Sequence, residues 1–178
     1  MNADLFFWLL ARVAGLSSFV ALAVSLLSGM ALRSGILSWL ASNRALRSVH
    51  EYTAVLWMPL GLLHLTCLLL DGTARVRLTD LVVPFGMPYG RLAVGMGTVS
   101  FELMVVVAVS AWLRQWMGPR AWLWVHRVSY LAFALAFIHA LLAGTDFSDP
   151  LVSALTWSAT AMLAVLAATR LLWGRLPA

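Results

Sequence analysis

The chain has no lysine, one cysteine, and charged residues at only 11% of its positions. Each shortage excludes something. A single thiol, Cys67, can close no intrachain disulfide and cannot supply a metal cluster, which needs several thiolates; it reads as a small apolar helix residue. Soluble domains carry about 25% charged residues, and this chain pairs its deficit with 62% hydrophobic residues and a mean hydropathy of +0.91. It is therefore read as an integral membrane protein. The net charge of +5 comes entirely from arginine. In a soluble protein so basic a balance would raise nucleic acid as a partner, but here the arginines fall at the ends of apolar runs, where they set topology, so membrane lipid is the expected partner and nucleic acid is not. No basic segment precedes the first apolar run, Asp4 does, and the run outlasts a signal-peptide core, so no cleavable leader is expected. Histidine is also scarce: His50, His64, His126 and His139 are the only four.

What is abundant is apolar sequence in helix-length runs. Five spans can be drawn, at 8–32, 46–70, 92–112, 122–142 and 151–173. Each is long enough for a bilayer core of about 30 Å at about 1.5 Å per residue. The expected fold is all-α, a polytopic membrane bundle of about five transmembrane helices, with residues 1–178 as one domain. The chain is too short for several spans plus a soluble catalytic domain, so a nucleotide- or flavin-binding partner is expected on another chain. The longest connection, 71–91, holds Pro84, Gly86, Pro88 and Gly90 and should form ordered turns that cap a site. Gly118-Pro119 reads as a stop and turn, and Pro150 suits the start of the fifth span.

If all five spans cross, Arg33, Arg44, Arg47, Arg114, Arg120, Arg127, Arg170 and Arg175 share one side. The other side keeps Arg75, Arg77 and Arg91, with Arg12 inside the first span near it. The richer side should be cytoplasmic, which places the N-terminus outside and the C-terminus inside a plasma or inner membrane. Trp39, Trp112, Trp116, Trp122, Trp124 and Trp173 fall where a cytoplasmic aromatic belt would lie.

An ionisable side chain inside an apolar span is costly enough to mark a functional site by default. In this topology the second and fourth spans run parallel, so depth pairs His50 with His126 and His64 with His139. A spacing of fourteen residues rises about 21 Å and falls about 40° short of four turns, so one face of the second span presents both its histidines. The fourth span's spacing of thirteen leaves its two rings about 140° apart, which requires local unwinding or sites on different flanks. Two imidazoles at one depth suit haem iron with both axial positions filled, a centre that carries single electrons. Zinc would want further cysteine, histidine or carboxylate ligands, and none is evident. Gly15 and Gly29, themselves fourteen apart, and Gly61 near His64 are small enough to let a porphyrin approach the backbone or to serve helix contacts. Arg44, Arg47, Arg120 and Arg127 are candidates for the propionates of the inner haem, and Arg75, Arg77 or Arg91 for those of the outer one.

These residues resemble the ferric reductase-like transmembrane domain family, which includes the membrane parts of ferric reductases and NADPH oxidases and the haem-binding subunit of the periplasmic methionine sulfoxide reductase system. The likeness lies in the four histidines, in Arg-Ala-Leu-Arg-Ser-Val-His at 44–50, in Trp-Val-His-Arg-Val-Ser-Tyr at 124–130, and in the first span from Arg12 through Gly15 to Gly29. The sequence shows five clear spans where six are usual. The resemblance implies an oxidoreductase component with two b-type haems bound to iron through His50, His126, His64 and His139. Gly15, Gly29, Arg47 and Arg127 would line the cofactors. Electrons would come from a cytoplasmic-side flavoprotein or quinol, with flavin or quinone on a partner or bound peripherally, and leave to an outer acceptor. A second reading dispenses with haem: a membrane scaffold or transporter in which the histidines and Glu102, the only acid deep in a span, form a polar network or proton relay.

Overall fold

The computed structural model describes residues 2–34 and 41–173, without the side chains of 169–173. Trp39 and Arg175, and the side chains of Arg170 and Trp173, lie outside what is described. Five helices, each long and apolar enough to cross a membrane, carry the fold: α1 (Ala3–Ser34), α2 (Asn43–Leu70), α3 (Arg91–Trp112), α4 (Pro119–Ala143) and α5 (Pro150–Trp173). No strand occurs among the described residues. The protein is a multi-pass membrane helical bundle, as its composition requires.

Several helices begin before their apolar runs because capping groups, not hydropathy, fix helix starts. The Ser42 hydroxyl accepts the Ala45 N–H at 3.2 Å, extending α2 back to Asn43. Gly118 caps α4 with Pro119 in its first turn, where a missing N–H costs nothing. At α5, Asp149 Oδ1 accepts the N–H groups of Leu151 and Val152 at 2.9 and 3.1 Å, with Pro150 leading the helix. Pro59 lies inside α2 and removes one intrahelical hydrogen bond there.

The chain forms two compact units, 1–8 with 68–145 and 9–67 with 146–178. In the second, α1 and α2 form an antiparallel hairpin in strict register. His64 Nδ1 meets the Ala11 carbonyl, Ser18 Oγ donates to the Trp57 carbonyl, and His50 Nδ1 meets the Ser25 carbonyl. Each step along α1 is seven residues, matched by seven along α2, so the pairing holds over four turns. Arg12 of α1 forms a two-point ion pair with Asp146 just before α5, its Nε 3.1 Å from Oδ2. An arginine inside an apolar span is costly, and Asp146 offsets that cost with charge-assisted hydrogen bonds.

In the first unit, α3 and α4 form a second antiparallel hairpin. His139 Nδ1 meets the Ala93 carbonyl, and Ser100 Oγ donates to the Ala132 carbonyl. The connection 71–90 is ordered against α3, as its glycines and prolines suggest. Thr98 Oγ1 donates to the Asp80 carbonyl at 3.0 Å, and Arg91 Nε to the Phe85 carbonyl at 2.8 Å. Phe85 has a φ of 62°, an uncommon conformation for a bulky residue. Its ring lies over Gly95, where any Cβ would collide with it.

Candidate haem sites

Three of the four histidines are held in one way. His64, His50 and His139 each place Nδ1 2.8 Å from a backbone carbonyl on the adjoining helix, of Ala11, Ser25 and Ala93 respectively. A carbonyl only accepts, so Nδ1 carries the proton and Nε2 keeps its lone pair, the tautomer a metal-ligating imidazole needs. At His50 the Ser25 hydroxyl adds a contact at 3.2 Å to the same nitrogen.

One helical turn beyond each accepting carbonyl stands a glycine, and the imidazole fills its missing side chain. A Cβ on Gly15 would lie 2.7 Å from His64 Nδ1, one on Gly97 2.6 Å from His139 Nδ1, and one on Gly29 3.0 Å from His50 Cε1. Real Cβ atoms essentially never come closer than 3.0 Å, so Gly15 and Gly97 are required by the rings lying on them. Gly15 and Gly29 thus make room for the imidazoles themselves. Gly61 faces Ser18 Oγ and the Trp57 ring instead.

The two hairpins are copies of one arrangement. Ala11, Gly15 and Ser18 of α1 recur as Ala93, Gly97 and Ser100 of α3, and each serine donates to the carbonyl seven residues before the histidine. This Ala-x-x-x-Gly-x-x-Ser repeat is visible in the sequence, but short motifs of small residues are common at helix contacts and a search for metal ligands passes over it. Gly97 and the three carbonyls touch the histidine rings without being singled out by the sequence.

His126 departs from the pattern. α4 is a continuous helix from Pro119 to Ala143, so the thirteen-residue spacing is not absorbed by unwinding and the two rings sit on different flanks. No glycine follows Gly97 in α3. The His126 ring instead stacks on Trp122, one turn earlier, with centroids 4.9 Å apart and planes within 19°. On Trp122 lies the Arg114 guanidinium, 4.3 Å from the ring centroid.

The arginines singled out by the sequence are peripheral. Arg47 is exposed near the start of α2, and Arg127 is exposed with its guanidinium 4.9 Å from the Trp124 ring centroid. Glu102 is half-buried within α3. Among the described residues no three His, Cys, Asp or Glu side chains cluster as a metal-ion site.

This fold defines a multi-pass membrane protein that carries four imidazoles inside two of its spans. A family model described as the ferric reductase like transmembrane component matches residues 14–137, well over half of the chain, and the chain belongs to that family. The match takes in Gly15, Gly29, His50, His64, Gly97 and His126 and stops just short of His139. Family membership makes it a membrane electron-transfer component. No curated protein and no solved structure matches the chain.

Proposed function

We propose that the chain is a membrane cytochrome b with two b-type haems, one held by His50 and His126, the other by His64 and His139. Residues 1–178 act as a single haem-binding domain that carries electrons from a cytoplasmic-side flavoprotein or quinol to an outer acceptor. The N-terminus lies outside and the C-terminus in the cytoplasm of a plasma or inner membrane. The observation that carries this reading is the threefold repeat of an imidazole whose Nδ1–H is bound to a backbone carbonyl and whose ring fills a glycine. A histidine that ligates a metal through Nε2 needs its Nδ1–H held by an acceptor, which these carbonyls provide.

The residues fit a b-type haem on two further counts. Both proposed ligand sets are imidazole alone, and ligation by two imidazoles would leave no open position on iron. Haem, when bound, supplies one-electron chemistry in an apolar medium. The chain's own residues fix the rest. Carbonyls of Ala11, Ser25 and Ala93 set the tautomer of each ring, the glycines set how closely it lies against the neighbouring helix, and Arg47 and Arg127 supply cations for the propionates.

Sealed vesicles containing the purified chain test the transport claim. With ferricyanide trapped inside and a membrane-impermeant reductant outside, wild type should reduce the trapped acceptor, and His64→Ala should abolish that. Equal rates in both, or none in wild type, would favour a haem-free scaffold or transporter.

A further inference from the structure

The repeat between the two hairpins isolates a question at His126. In the first hairpin, fourteen residues separate both histidines and both glycines; in the second, the counterpart of Gly29 is Ala111 and the counterpart of His50 is Val125. His126 is therefore displaced by one residue, about 100° of helix, from the position its hairpin would prepare. Trp122 is the group that meets it there. The indole stacks on the imidazole, and its Nε1–H is buried with no hydrogen-bond partner among the described residues. A buried donor left unmade is costly, so this N–H points to an acceptor that the described residues do not provide. Arg114 lies over the same ring, is in no ion pair among the described residues, and no carboxylate occurs in the chain between Glu102 and Asp146. An indole N–H beside a guanidinium suits a carboxylate.

We propose that Trp122 is the positioning residue of the His126 site: its ring sets the plane of the imidazole, and its N–H, with Arg114 alongside, binds a carboxylate of the group that His126 ligates. This rests on the haem reading, in which that carboxylate is a propionate.

The two roles separate by substitution. Trp122→Phe keeps a stacking ring and removes the N–H; Trp122→Leu removes both. Purified full-length protein is measured by haem-to-protein ratio, low-temperature optical and electron paramagnetic resonance spectra, and redox titration, with the His64–His139 haem as internal control for folding. Trp122→Leu should lower the ratio from two towards one, or change the ligand-field signature of one haem alone. Trp122→Phe should keep two haems and that signature, with the midpoint potential of the same haem shifted. An unchanged spectrum and potential in Trp122→Leu overturns the proposal, and an unchanged potential in Trp122→Phe overturns the carboxylate contact. A wild-type protein without haem would instead remove the underlying reading, and the proposal with it.

Discussion

Adding one methyl group at Gly15 or Gly97 should be as damaging as removing a histidine, because the Cβ would arrive 2.7 or 2.6 Å from an Nδ1 already bound to a carbonyl. The ring must then swing away and lose its hydrogen bond, or the helices must part; overpacking of this kind costs about 1–3 kcal/mol. At Gly29 the nearest approach is 3.0 Å, to Cε1, so alanine there asks less. Gly15→Ala and Gly97→Ala should therefore each lose most of one haem, while Gly29→Ala keeps more of its own, as read from pyridine haemochrome content. Equal retention in all three would show that the glycines do not set ring position. The histidines were legible in the sequence because ionisable residues stand out in apolar spans. Their partners were not, since a backbone carbonyl has no residue type and any amino acid supplies one.

Between helices, the connection 71–90 is held to α3 by the Thr98 and Arg91 hydrogen bonds. Gly95→Ala should expel the Phe85 ring and free the loop, at about 1–3 kcal/mol, seen as new protease cleavage within 77–90 while the helices stay intact. Persistence of the protected loop would contradict the packing described for Phe85. Asp71 anchors the loop's first turn and is buried. Burial pushes its carboxyl up, but hydrogen bonds from the Thr73 hydroxyl and from the N–H groups of Thr73 and Ala74 outweigh this and hold it below the usual carboxylate range. Because the folded value lies below the unfolded one, ionised Asp71 stabilises the turn at every pH above about 4 and ceases to as pH falls through the folded value. Asp71→Asn should flatten the acid side of a thermal-stability profile; an unaltered profile would show that Asp71 titrates alike folded and unfolded. Asp146→Asn leaves Arg12 without its partner carboxylate and should cost about 1–2 kcal/mol, measurable as a lowered Tm. The ordered loop was legible from its prolines and glycines. The ion pair was not, because Arg12 and Asp146 are far apart in sequence and Arg12 had a sufficient role in topology.

For the molecule as a whole, hydropathy was enough to give five spans, since in a bilayer backbone groups must be satisfied within each helix. What hydropathy could not supply was the organisation above the helix. The second hairpin repeats Ala11, Gly15 and Ser18 of the first as Ala93, Gly97 and Ser100, so that His64 and His139 are seated in the same way. The proposed function requires that four histidines make two centres in two named pairs. Single alanine variants at His50, His64, His126 and His139 test this most directly, by the reduced-minus-oxidised spectrum of each purified protein. Wild type should hold close to two b-type haems per chain; His50→Ala and His126→Ala should lose one spectral species, and His64→Ala and His139→Ala the other. Loss in any other pairing, or a wild-type chain without haem, would contradict it.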